Sequence, residues 1–131
     1  MFRKLMRAKI HRATITHCDV NYVGSCTIDA DLLRACGMRP NEAVLVLDID
    51  NAARFETYVI LGEAGSGVIG INGAAAHLVE VGNKVIILSF AHLRETELDD
   101  HIAKVVVADG SNRVGQILEY ASRLEEPVGA G

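Results

Sequence analysis

The chain has no tryptophan, only 5% aromatic residues, two prolines and three cysteines among its 131 residues. With so few rings, the core has to be built from small branched side chains, and Val, Ile and Ala are plentiful. No apolar run approaches the ~18 residues of a membrane-spanning helix. The opening MFRKLMRAKIHR scatters basic residues where a secretion signal needs an uninterrupted apolar stretch, so the expected location is cytoplasmic. Cys18, Cys26 and Cys36 are an odd number without a paired framework, which suits a reducing compartment and small buried thiols. A concentrated basic face is also missing. The formal net charge is −4 with Lys and Arg dispersed, which argues against a nucleic-acid partner, and no membrane partner is expected.

What is there is half hydrophobic by composition and long enough for one domain with a working core. RAKIHRATITHCDVNY carries β-branched residues in rough alternation and reads as one strand, running until Asp19 and Asn21 interrupt it. IDADLLRACG reads as a short helix, with Asp29 capping its start, Asp31 in its first turn and Gly37 just past its end. EAVLVLDID and FETYVILGE form a hairpin around a turn at NAAR. GVIGIN and KVIILSF are further strands, with about one helical turn at GAAAHLV and a tight turn at VGNK between them. KVVVAD adds a strand, whereas RVGQILEYASRL places Val114, Ile117, Leu118, Ala121 and Leu124 at helical spacing. Short, closely spaced strands with few helices indicate a mainly β fold, a small barrel or sandwich, rather than βαβ units.

Two patterns invite a chemical reading and do not sustain it. GSGVIG, Gly65 to Gly70, matches G-x-G-x-x-G, but strand-like Val68, Ile69 and Ile71 stand where a helix would have to open, and no carboxylate follows at ~20 residues. The glycines are read as a tight strand-turn-strand. His11, His17, Cys18, Cys26 and Cys36 lack the close ligand pair of a structural zinc site, so no metal is expected.

The informative stretch is NYVGSC. A serine hydroxyl can attack the carbonyl carbon of the preceding residue through a five-membered ring, turning the amide into an ester, if the backbone is held in an unusual conformation. Gly24 suits that need, since without a Cβ it tolerates unusual dihedrals and lets donors approach its carbonyl. β-Elimination of the ester leaves dehydroalanine at position 25, which hydrolyses to a ketone and ammonia, and the new chain begins with a pyruvoyl group. Decarboxylating an amino acid needs an electron sink, and none of the twenty side chains supplies an electrophilic carbonyl. Pyridoxal phosphate is the common solution, but no phosphate cup beside a Schiff-base lysine is recognisable here.

AKIHRATITH, NYVGSCTID, ARFETYVI, GEAGSGVIGINGAAAH and KVIILSFA follow one another in order within the stretch from residue 3 to about residue 92. In these motifs the sequence resembles the pyruvoyl-dependent aspartate 1-decarboxylase family. The tail beyond them carries no pattern of that family. The resemblance implies a six-stranded double-psi β-barrel with a few short helices over residues 1–115, and a tail at 116–131 that is partly helical or disordered. It implies a homotetramer with active sites between subunits, cytoplasmic, with L-aspartate as substrate and β-alanine for pantothenate and coenzyme A as product. The cofactor would be a pyruvoyl group made from Ser25, with no pyridoxal phosphate and no metal. Whether cleavage is spontaneous or needs a maturation factor stays open.

Residue by residue, the resemblance makes Gly24 the new C-terminus of a small chain and Ser25 the pyruvoyl group that forms a Schiff base with the substrate amine. Lys9 and Arg54 would hold carboxylates, and Arg is suited to bidentate pairing. Tyr58 would donate the proton to the carbanion left by carbon dioxide. Thr57 would hydrogen-bond the Gly24 carbonyl during processing. The two are neighbours on a strand and face opposite ways if it is flat, so a bend or a subunit boundary would have to bring them to one site. Asn72 with Gly73 and the Ala74 and Ala75 amides would form a polar wall, and His11 and Tyr22 would line the pocket. The competing reading is a non-catalytic β-barrel interaction module. Ser25→Ala separates the two, abolishing cleavage and turnover in the first case and changing nothing in the second; as an exposed-loop hydroxyl, Ser25 is expected to matter little for stability.

Overall fold

The computed structural model describes residues 1–124. Among them nine strands form one mixed sheet: β1 (Phe2–Thr14), β2 (His17–Asp19), β3 (Ser25–Asp29), β4 (Ala43–Asp48), β5 (Arg54–Gly62), β6 (Ile69–Asn72), β7 (Lys84–Arg94), β8 (Ile102–Ala108) and β9 (Val114–Ala121). One α-helix, α1 (Ala30–Cys36), and two 3₁₀ segments, Gly73–Leu78 and Glu95–Asp100, complete the described residues. The strand order is β2-β6-β3-β5-β4-β7-β1-β8-β9.

The topology carries one motif twice. The consecutive strands β5 and β6 are held apart by the earlier strand β3, which is parallel to β5 and antiparallel to β6. In the same way β7 and β8 are held apart by β1, antiparallel to β7 and parallel to β8. Six strands thus make two ψ-shaped units, the double-psi barrel expected of this sequence. β4 bridges the units by pairing with both β5 and β7, and β2 and β9 extend the two ends of the sheet. Alternation sends Ile10, Ile28, Val46, Val59, Ile71 and Ile87 into one core, each with no exposed surface. Each such side chain contributes about 1.5–3 kcal/mol of burial.

Three expectations need correction. The first strand is two, because at Ile15 and Thr16 the backbone amides turn to the carbonyls of Asn83 and Ile69 before β2 begins. The helical spacing from Val114 is not realised either. Residues 114–121 form β9, paired with β8 from Ile102↔Ala121 to Ala108↔Val114. Gly115, Val114 and Ile117 are poor helix formers, and the open edge of β8 supplies hydrogen-bond partners that a solvated helix would have to find within itself. The tail expected at 116–131 therefore begins as sheet, and its last residues, 125–131, lie outside the described part.

α1 starts and stops where the sequence says. The Asp29 side chain accepts from the Asp31 amide, and Gly37 ends the helix at φ +84. The same carboxylate organises the GSGVIG loop. Asp29 is 1% exposed, and its oxygens accept the Gly65 amide at 3.1 Å and the Gly67 amide at 2.8 Å. The glycine-rich amides that mimic a phosphate cradle thus enclose a carboxylate of their own chain.

Burial works against ionisation of Asp29, but the amides of Asp31, Gly67 and Gly65 and the Arg113 charge outweigh it and hold the carboxyl below its usual range. A depressed carboxyl stabilises the fold above its unfolded pKa, and the contribution is lost as pH falls through the folded value. Asp29→Asn keeps one acceptor but sets an amide donor against the Gly67 N–H. It is expected to cost about 1–3 kcal/mol at neutral pH. Urea melts at pH 7 and below pH 4 should show the gap between variant and parent shrinking in acid; an equal gap at both would contradict the assignment.

Candidate active site at the head of β3

β3 begins at Ser25, directly after a loop whose Val20, Tyr22 and Val23 are exposed. The loop is shaped by the Asn21 amide donating to Asp19 Oδ1 at 2.9 Å. Alternation along β3 sends Cys26 and Ile28 into the core and leaves Ser25 and Thr27 on the other face. Ser25 is nonetheless only 1% exposed, so the exposed-loop hydroxyl expected from the sequence is a buried one.

The Ser25 hydroxyl donates to the Val23 carbonyl at 2.9 Å and accepts from Asn72 Nδ2 at 3.0 Å. Asn72 stands opposite Ser25 in the β3–β6 ladder and gives its other N–H to Thr27 Oγ1 at 3.1 Å. Although Asn72 precedes the 3₁₀ segment, its side chain makes no capping bond there. Ala74, in the first turn of that segment, is exposed, and Ala75 packs partly against the core.

Gly73 has φ +77, and a Cβ built on it would lie 2.5 Å from Gly24 Cα and 2.8 Å from Gly24 N. Backbone is pressed on backbone there, which glycine alone permits. Gly24 itself was expected to carry the unusual dihedrals. It is not among the positive-φ glycines, and a Cβ on it would meet only the Asn72 carbonyl, at 4.0 Å. The conformational demand falls on Gly73.

On the neighbouring strand the parallel register begins at Cys26↔Val59, so Tyr58 is level with Ser25 and Thr57 with Gly24. β5 runs against β4 without a register shift, Thr57 beside buried Val44 and Tyr58 beside Ala43. Their side chains therefore point to opposite faces, and no bend unites them. Thr57 makes no side-chain hydrogen bond among the described residues, so its expected bond to the Gly24 carbonyl is not formed in the single chain.

Lys9 and His11 share the outer face of β1, alternating with buried Ala8 and Ile10. His11, Ile86, Leu47 and Arg54 form one cross-strand row. β1 stands four strands from β3, roughly 19 Å along the sheet, and Arg54 is four residues from Tyr58, roughly 13 Å along β5. No hydrogen bond joins Lys9, His11 or Arg54 to Ser25 of the same chain, whose hydroxyl partners are Val23 and Asn72. Burial, followed by the charges of Lys9 and Arg12, lowers the His11 pKa, and its Nδ1 is buried without a partner. Both causes favour the uncharged imidazole.

An open depression of about 930 Å³ adjoins Asn72 and Thr27 and is lined also by His17, Asp19, Tyr22 and Glu63. No lysine or arginine lines it among the described residues. Cys26, next to Ser25, is fully buried, and desolvation pushes its thiol up to about 12, so it is a packed residue and not a nucleophile. Thr27 is the member of this cluster that the sequence reading passed over. The signal was available in SCTID, where residues two apart share a strand face.

The aspartate decarboxylase family model matches residues 1–115, well past the last of the motifs, KVIILSFA. An aspartate 1-decarboxylase of Neisseria meningitidis is 52% identical over 120 residues, covering 92% of this chain and 94% of the relative. Another, from a Geobacillus species, is 51% identical over 128 residues, covering 98% and 97%. A computationally designed protein, msDPBB_sym2, covers 66% of the chain at TM-score 0.44 and 18% identity, too remote to carry an argument. With a family match over most of its length and half its residues shared with those two enzymes, the chain belongs to the aspartate decarboxylase family.

Proposed function

We propose that the chain breaks its own Gly24–Ser25 bond and uses the resulting N-terminal pyruvoyl group to decarboxylate L-aspartate to β-alanine and carbon dioxide. The observation that carries this reading is a buried serine hydroxyl held between the Val23 carbonyl and the Asn72 amide, with Gly73 pressed against the residue to be cut. In the first step Ser25 Oγ bonds to the Gly24 carbonyl carbon, the C–N bond breaks, and the hydroxyl proton ends on the Ser25 nitrogen. In the second, the Cβ–Oγ bond breaks, the Cα proton passes to water, and Oγ leaves as part of the Gly24 carboxylate. Water then replaces the nitrogen of dehydroalanine and ammonia departs. Thr57, level with Gly24 and with its hydroxyl unused, is the group available to the Gly24 carbonyl as charge develops on it.

The new carbonyl forms on Cα in place of the Ser25 nitrogen, after Oγ has left with Gly24, and the depression lined by Asn72 and Thr27 gives a small substrate a way to it. Once formed, the group supplies an electrophilic carbonyl that takes up the substrate amine and withdraws electrons as carbon dioxide leaves. Aspartate brings two carboxylates, whereas the depression offers Asp19 and Glu63 and, among the described residues, no lysine or arginine. Lys9 and Arg54 do not line that depression, so a neighbouring copy supplies them, as a homotetramer with shared sites would. His11, neutral and on the Lys9 face, accompanies them. Tyr58, on the opposite face of β5 from Thr57 and on the same side of the sheet as the Ser25 side chain, delivers a proton to the carbon that has lost its carboxyl, Tyr22 lines the mouth, and the Ala74 and Ala75 amides face a substrate carboxylate. β-Alanine for pantothenate and coenzyme A is the product this implies, in the cytoplasm.

Intact-mass measurement of an aged sample tests the reading. Two fragments are expected, residues 1–24 and residues 25–131, the larger with no free amino terminus. An uncut chain with an ordinary serine that decarboxylates aspartate, or activity requiring pyridoxal phosphate, would overturn it.

A further inference from the structure

We propose that Thr27 is a positioning residue for self-cleavage, acting through Asn72. The inference rests on the reading that Gly24–Ser25 is the bond broken. The Ser25 hydroxyl has one hydrogen, and it lies on the Val23 carbonyl, so whatever faces Oγ from Asn72 has to be a donor. That requirement selects the amide NH₂ and excludes the amide oxygen. The second N–H of the same group then has to go elsewhere, and Thr27 Oγ1 receives it at 3.1 Å. Asn72 is 7% exposed and borders the open depression, so it is the fixed threonine hydroxyl, not a mobile water, that holds its amide in one orientation.

The ladder makes room for this arrangement. Thr27 stands two residues from Ser25 on β3 and pairs with Gly70 of β6, while Asn72 pairs with Ser25. A Cβ on Gly70 would sit 3.5 Å from Thr27 Cβ and 3.8 Å from Thr27 Oγ1, ordinary contact distances, so Thr27 stands over Gly70 on the face it shares with Asn72. Thr27 Oγ1 thereby sets the plane of the amide that points at the reacting oxygen.

The chemistry makes that plane matter. Oγ is the atom that attacks Gly24, and it is also the atom that leaves when the Cβ–Oγ bond breaks, carrying growing negative charge into the new carboxylate. A preorganised N–H at 3.0 Å stabilises that charge without having to reorient. With the Thr27 acceptor gone, the amide is free to turn over and set its oxygen against Oγ, opposing the step in which Oγ leaves and the chain is cut.

Two pairs of variants isolate the hydroxyl. Thr27→Val keeps the shape and removes the acceptor, and Thr27→Ser keeps the acceptor and removes a methyl. Freshly made protein is followed by gel and intact mass as it cleaves, with thermal melting in parallel. Cleavage is expected to slow about three- to tenfold in Thr27→Val and to stay near the parent rate in Thr27→Ser, the loss of one hydrogen bond converted to rate. A packing role predicts the opposite order, and that order would overturn the proposal. Should Thr27→Val fail to fold, Thr27→Ser against Thr27→Ala gives the same comparison, since they differ only in the hydroxyl; equal rates would refute the assignment. If the parent cleaves and all variants match it, Thr27 has no such role while the cleavage reading stands. A parent that never cleaves removes both.

Discussion

Ser25→Ala is expected to remain a single 14.1 kDa chain however long it ages, with no decarboxylation of aspartate above background. The hydroxyl is the only atom that can convert the 24–25 amide into an ester, so its removal leaves no slower route to the same product. Cys26 cannot substitute, because its thiol is buried and pushed up to about 12, and it follows a different peptide bond. The fold is not left untouched. Ser25 is buried, and its loss leaves one Asn72 N–H without a partner, which costs about 1–3 kcal/mol. Intact mass, an aspartate assay and a melting curve on the same sample separate the effects. A folded variant that still cuts, or still turns over aspartate, contradicts the proposed chemistry.

Gly73→Ala is expected to block cleavage as completely, by geometry and not by chemistry. The new methyl would sit 2.5 Å from Gly24 Cα and 2.8 Å from Gly24 N, and both contacts are backbone, which cannot swing aside. Residue 73 also holds φ +77, a conformation costing a non-glycine residue about 1–3 kcal/mol. Relief comes by pushing the 22–24 loop away from β6, which takes the Gly24 carbonyl away from Ser25 Oγ. The expected signature is an uncut chain that melts several degrees lower. Gly24→Ala provides the contrast. Its Cβ would meet only the Asn72 carbonyl at 4.0 Å, so it is expected to fold near-normally and to cut faster than Gly73→Ala. Equal cutting by both would mean that Gly73 does not hold the scissile loop.

The local grammar of the chain was legible because its signals act over a few residues. Asp29 and Gly37 delimit α1 as a cap and a left-handed terminus do anywhere, and the 43–62 hairpin follows from two β-rich runs around NAAR. Where a distant strand decides, the same reasoning fails. Residues 114–121 have helical spacing, yet the free edge of β8 makes them sheet, and the first strand breaks at Ile15 because carbonyls of Asn83 and Ile69 are within reach.

The site divides in the same way. Residue order alone specifies a glycine–serine pair able to rearrange, and family motifs around it name Lys9, Arg54, Thr57, Tyr58 and Asn72. Only folding reveals that Asn72 is the partner of Ser25, that the positive φ lies at Gly73 and not at Gly24, where unusual dihedrals are expected, and that Thr27 completes the network. Only folding, too, separates Lys9 and His11 from Ser25 by four strands. Bond-making chemistry depends on which side chains exist and stand next to one another along the chain, so sequence determines it. The distances that make it run depend on pairing between strands far apart in that chain, and those the ladder decides.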